Sequence, residues 1–407
     1  MATNKDTENN TPSAPTPADN DIAKLTEVTE QDLAEAIEDE YGAKYSKEGK
    51  RLLKAPKDFS HYNIKEGTEI ICKNAFWVCN NLATITIPQS VTAIGDKAFS
   101  GCSSLTSITI PPSVTTIGEE AFSECSSLTS ITIPPSVTAI HSWAFSGCGS
   151  LTSVTIPPSV TTIHLGAFSG CKSVTSITIP LSVIAIGGSA FYGCSSLTSV
   201  TIPPSVTAIG KEAFSGCSSL TSITIPPSVH TMKGNPFVSW YGHIEIDSPC
   251  FKYEDGALID VRKGILITFR SKAESYTIPP SVTTIGEEAF SDCGKLTSIT
   301  IPPSVTAIGD SAFVLCKSLT SVTIPPSVTA IGGLAFSGCS SLTSITIPPS
   351  VTTIGEEAFS DCSRLTSIII PPSVTAIGDK AFFWCKSLTS VTIPPSVTAI
   401  GGSAFYE

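Results

Sequence analysis

The chain has 407 residues, a net charge of −11 and only 14% charged side chains. No apolar run approaches the ~20 residues of a membrane-spanning helix. The acidic balance, with no basic patch interleaved with aromatics, argues against nucleic acid as a partner.

In chain order, the first 26 residues are rich in Thr, Asn, Pro, Ala and Asp and read as a disordered polar tail without a basic-then-apolar leader. Thr29 followed by Asp32 marks a helix start, and the pattern predicts an acidic helix over 27–44. Leu33, Ile37 and Tyr41 form its apolar stripe, Gly42 its stop, and Glu30, Glu35, Glu38, Asp39 and Glu40 its opposite face. The reading is a solvated helix leaning on the first coil, with partner binding as the alternative. Next, Glu48-Gly49 turns into Leu52 and Leu53 as a hairpin that caps a first array over 45–237.

From Ala75 onward a unit close to AFSGCSSLTSITIPPSVTAIGKE recurs every 23 residues, its register marked by Phe76, Phe99, Phe122 and their successors. A period of this size predicts a stacked solenoid. In each unit, exemplified by Leu105 to Ser113, Leu105, Ile108 and Ile110 point inward along a strand and Ser107 and Thr109 outward. Pro111 and Pro112 end that strand, Val114 and Ile117 face inward from a second one, Gly118 makes a corner, and Ala121-Phe122 lead into a short helical or 3₁₀ segment near Cys125.

The repeat is interrupted over 238–280, read as a hairpin-containing insertion because Asp255-Gly256 and Lys263-Gly264 bracket Ala257 to Val261. Tyr276, Ile278, Ile285, Ala289 and Phe290 there match Tyr62, Ile64, Ile71, Ala75 and Phe76 at a constant offset. A second array occupies 281–407, in which 69-residue blocks of three coils are nearly identical. The final coil lacks a cap in this reading, so the expectation is either end-to-end self-association through it or a sequence that is a fragment of a longer chain.

These units resemble the BspA-type leucine-rich repeat family, whose repeats read I-P-x-x-V-T-x-I-G-x-x-A-F-x-x-C-x-x-L, and the resemblance extends over nearly everything after residue 45. It implies a β-rich fold, a curved parallel-β leucine-rich repeat array, and a non-enzymatic role in adhesion or other protein interaction at microbial surfaces.

The binding candidate is the outward hydroxyl ladder: Ser107, Thr109, Ser130, Thr132, Ser153, Thr155, Ser176, Thr178, Ser199, Thr201, Ser222 and Thr224, then Ser298, Thr300, Ser321, Thr323, Ser344 and Thr346. With rungs about 4.8 Å apart and no aromatic anchors, it suits weak contacts that add through avidity. Two other readings are an intracellular assembly scaffold and an ice-binding array, the latter disfavoured by sheet curvature.

Trp240, Tyr241 and His243 form a secondary patch, with sealing of the core where the repeat breaks as the alternative. His141 and His164 occupy the corner of successive coils, and as a metal site they would lack a third ligand. Twelve of the fourteen cysteines sit three residues after the repeat Phe and read as an inward column of free thiols. Free thiols favour a reducing compartment, whereas the family resemblance favours the cell surface. The sequence calls for no cofactor and no metal, and it shows no assembled acid, base or nucleophile.

Overall fold

The computed structural model describes residues 24–406, which form two compact units divided between Asp247 and Ser248. Each unit is a parallel β-solenoid built on the 23-residue repeat.

One coil shows how the sequence makes the fold. Over Ser107–Thr109 the alternation is realised: Ile108 is buried, Ser107 and Thr109 are exposed, and the strand pairs in parallel with Ser130–Thr132 of the next coil. Pro111 has no N–H for a ladder, and its carbonyl instead accepts from Val114 N at 3.0 Å to close the turn. A second strand, Thr116–Ile117, buries Ile117 before the Gly118 corner. Backbone packs on backbone at this corner, since a Cβ on Gly118 would lie 2.6 Å from Asp96 N.

The short helical segment expected after the corner is replaced by a run of tight turns. Ala121 N, Ser123 N and Cys125 N each donate three residues back, to Gly118, Glu120 and Phe122. The intervening groups reach the next coil instead, with Glu120 N, Phe122 N and Glu124 N donating to Ser142 O, Ala144 O and Ser146 O. The cause is local, because Glu120 (φ 52) and Glu124 (φ 59) are left-handed and a right-handed helix cannot pass through them.

Many coils place Gly in the second of these positions, as at Gly101 and Gly147, but Val78 stands there with φ 58. A β-branched residue in that region is strained. Replacing Val78 with Gly is therefore expected to stabilise unit 1 by about 1 kcal/mol, the relief of left-handed strain exceeding glycine's extra chain entropy. Urea titration checks this, and a drop in midpoint would contradict it.

The core is a set of columns. The repeat phenylalanines stack from Phe76 to Phe237 with neighbouring centroids 5.0 to 6.1 Å apart, and from Phe290 to Phe405 at 4.9 to 5.5 Å. All fourteen cysteines are free and buried. Within a column each thiol has a defined partner: Cys102 Sγ donates to Phe76 O, Cys125 to Phe99 O and Cys316 to Phe290 O, at 3.1 to 3.2 Å. The same Phe76 O accepts Cys79 N, so the thiol satisfies the carbonyl's second lone pair.

Both units open in the same way. In unit 1 an antiparallel meander of Ile37–Glu38, Lys44–Tyr45 and Arg51–Lys54 passes into a parallel ladder at Ile70–Ile71. In unit 2 the meander is Phe251–Glu254, Ala257–Asp260 and Ile265–Phe269, followed by Thr284–Ile285. The stretch 238–280 is thus not a single insertion. His243–Ile246 pairs with Ser222–Ile225 to finish unit 1, and the remainder begins unit 2.

The N-terminal segment also departs from expectation. The helix predicted over 27–44 spans only Glu30–Ala34, although its start is as read, with Thr29 and Asp32 in a reciprocal capping box. Asp39 then diverts the chain, its Oδ1 accepting from Tyr41 N and Ala43 N and its Oδ2 from the Tyr62 hydroxyl. Leu33, Ile37 and Tyr41 are exposed rather than forming a packed stripe. The tail read over 1–26 ends earlier, for Thr26 is buried and its carbonyl accepts Lys73 N; residues 1–23 lie outside the described residues.

Candidate functional site

The ladder strands form one face in each unit. In unit 1, seven strands lie in register, so that Ser107, Ser130, Ser153, Ser176 and Ser199 make one column and Thr109, Thr132, Thr155, Thr178 and Thr201 the other. Every one of these side chains is exposed. The sheet begins two coils earlier than the ladder read from sequence, at His61–Asn63 and Thr84–Thr86. The alternation Thr84-Ile85-Thr86 was the available signal, and the Ser-to-Thr change hid it.

Ser222 and Thr224 lie in a separate pair of strands, opposite His243 and Glu245, where Thr224 Oγ1 donates to Glu245 Oε2 at 3.0 Å. In unit 2, Ser298, Ser321 and Ser344 align, Thr323 lies opposite Thr346, and Ser275–Thr277 adds a rung next to Thr300. Ile369 takes the Thr position of a later rung and is 73% exposed, an apolar station among hydroxyls.

What distinguishes these hydroxyls is the work done by others. Ser113 and Ser159 donate to Val91 O and Val137 O of the preceding coil at 2.6 to 2.7 Å. Thr129 and Thr152 donate to Thr106 O and Thr129 O at 3.2 Å. Most members of those columns staple coil to coil, whereas the Oγ atoms of Ser205, Ser228, Ser304 and Ser396 are buried with no hydrogen-bond partner among the described residues. Among the described residues, the only ladder hydroxyls with a protein hydrogen bond are Thr224 and the added Thr84, whose Oγ1 is 2.6 Å from His61 Nδ1. The remaining ladder hydroxyls face solvent with donor and acceptor capacity unspent.

The other candidates separate. Trp240 is buried, its Nε1 donating to Leu220 O at 2.7 Å and its ring tilted on Phe237, so it closes the core of unit 1. Tyr241 and His243 are exposed. His141 and His164 do stack, with centroids 5.4 Å apart. Beside them the Glu119 carboxyl is pushed up by burial and by the Asp96 carboxylate, and His141 pulls it partly back. Among the described residues no group of three or more His, Cys, Asp or Glu is arranged to hold a metal ion, and no helix is long and apolar enough to cross a membrane. In the final coil Ile393 and Ile400 are exposed, whereas their counterparts Ile370 and Ile377 are buried.

Comparison with known proteins agrees with this architecture. The family model for the BspA type leucine rich repeat region matches residues 54–174, 140–251, 268–376 and 352–407. A leucine rich cell surface protein from Faecalibacterium prausnitzii A2-165 is similar at 32% identity and a TM-score of 0.67, over 88% of this chain and 94% of that one. A leucine-rich repeat protein from Eubacterium ventriosum shares 27% identity at a TM-score of 0.54, over 69% of this chain and 82% of the other. The pneumococcal vaccine antigen PcpA, at 19% identity and a TM-score of 0.54 over 90% and 93%, shares the fold. No curated protein matches. The chain belongs to the BspA-type leucine-rich repeat family.

Proposed function

We propose that the protein is a non-enzymatic adhesive scaffold that binds protein partners at the cell surface through the hydroxyl faces of its two units. The observation that carries the reading is the division of labour among hydroxyl columns: most members of the stapling columns are hydrogen-bonded to the preceding coil, and the ladder hydroxyls, almost all unbonded, stand exposed in register. Such a face offers many equal, weak sites, so affinity comes from their number. The similarity to a leucine rich cell surface protein supports the location.

Two measurements test this. Protease shaving of intact source cells should release the chain, and retention in the cytosol would remove the adhesive role. Binding to surfaces coated with matrix proteins and mucins should fall about tenfold when Thr132, Thr155 and Thr178 are all changed to Lys, since three long charged side chains break the contact along the whole face. The single change Thr300→Ala should alter it less than about twofold, because one rung among many is lost. A large loss from Thr300→Ala would replace the distributed face with a single hot spot.

A further inference from the structure

Unit 1 carries a groove that the hydroxyl face does not use. Val28, Leu33 and the half-exposed ring of Trp77 form its apolar floor, and Lys54, Lys57 and Lys73 stand around it. Lys73 is paired with Glu27 at 3.0 Å. Lys57 Nζ sits over the Trp77 ring, 5.5 Å from its centroid. Among the described residues neither Lys54 nor Lys57 has a carboxylate within salt-bridge distance.

The surrounding charge is divided between two segments: residues 24–43, which supply Val28 and Leu33, hold seven Asp or Glu against one Lys. Residues 44–73 hold eight Lys or Arg against four Asp or Glu, a local +4 in a protein of net −11. Part of this excess already binds acid from the segment before it, through Arg51 with Asp32 at 2.7 Å, Lys44 with Glu38 at 3.5 Å and Lys73 with Glu27. Of these three pairs only Lys73 with Glu27 lies on the groove, which leaves Lys54 and Lys57, among the described residues, without a carboxylate beside the exposed Trp77 indole.

We propose that this groove seats an acidic polypeptide segment of a partner protein, with a bulky apolar side chain of that segment on Trp77 and its carboxylates on Lys54 and Lys57. The aromatic face supplies contact area at small entropic cost, and the lysines select the sign of the partner. The proposal is independent of the hydroxyl faces, and its loss would leave the adhesive reading intact.

The test uses the full chain and three labelled heptapeptides with blocked ends: Phe flanked by Asp and Glu, Phe flanked by Lys, and Ser flanked by Asp and Glu. Only the first should bind by fluorescence anisotropy, and its binding should weaken with salt. The double variant Lys54→Glu, Lys57→Glu should lower its affinity about tenfold or more, and Trp77→Ala should do so separately. The exposed control Lys317→Glu, Lys386→Glu should change nothing.

Equal binding of the Ser or Lys peptide would overturn the proposal, as would binding unchanged in the double variant. Three further results would reassign the groove and equally overturn it. One is dimerisation in light scattering that Trp77→Ala abolishes. Another is binding to phosphatidylserine vesicles, but not to the acidic peptide, lost in the double variant. The last is absence of peptide binding with Trp77 shielded from acrylamide, which would point to the chain's own residues 1–23.

Discussion

Replacing Phe145 with Ala is expected to lower the stability of unit 1 by about 3–5 kcal/mol, the range for truncating a buried phenylalanine. The ring is fully buried and stacked 5.6 Å from Phe122 and 5.4 Å from Phe168. Its loss leaves a void that collapse cannot heal, because the coils above and below are tied to this one by backbone bonds such as Phe145 N to Ala167 O. Phe145→Leu, which refills most of the space, should cost markedly less. Denaturant titration reads both, and equal midpoints for wild type and Phe145→Ala would mean that the stack does not govern cooperativity. In a nearest-neighbour array the damage spreads to the coils that depended on that contact.

The thiol columns should be almost inert in the native state and should make the fold alkali-sensitive. Burial pushes the Cys102, Cys148 and Cys217 thiols up to about 12, from an ordinary value of 9.0. Cys293 and Cys385 in unit 2 are likewise raised to about 12 by burial. At pH 8 the thiolate fraction then falls ~10³-fold below that of a free cysteine, before any steric shielding is counted. Iodoacetamide labelling should therefore follow unfolding, and rapid labelling of the folded protein would contradict the burial.

The same shift sets the response to alkali. A thiol whose folded value lies above its unfolded one holds its proton more tightly in the fold. The stability tied to this is intact below about pH 9 and lost as pH rises toward 12. Each such cysteine contributes about 1.4 kcal/mol per pH unit across that window, so several in one unit should give a steep alkaline transition. Changing Cys102, Cys148 and Cys217 to Ala should flatten it, whatever the change does to stability at pH 7.

Much of this architecture was legible because the repeat writes each element many times. The Pro pair, the corner Gly, the Ala-Phe step and the S-I-T strand each landed where their chemistry placed them. The turns after the corner were not legible, since Glu120 and Glu124 look like helix formers and only the backbone shows them left-handed. The acidic helix failed for a related reason. Spacing of Leu33, Ile37 and Tyr41 suggested one face, but Asp39 bonds locally to two backbone N–H groups and turns the chain into a hairpin. For the hydroxyl ladder, sequence gave positions and direction. It could not reveal which Ser and Thr columns are consumed in stapling, because that depends on the distance to the previous coil's carbonyls. The lysine-rimmed groove was invisible, as it joins Val28 and Leu33 to Trp77 across the meander.

The bonds between coils have a further consequence for how the chain reaches this fold. Thr129 to Thr106, Ser113 to Val91 and Cys125 to Phe99 span 23, 22 and 26 residues, and the same separations recur along each array. Along each array loop closure is thus paid in small steps of 22 to 26 residues. Lengthening an array by a copied block of three coils should leave its folding rate nearly unchanged, because the slow event is forming the first coils and each later one closes on a surface already built.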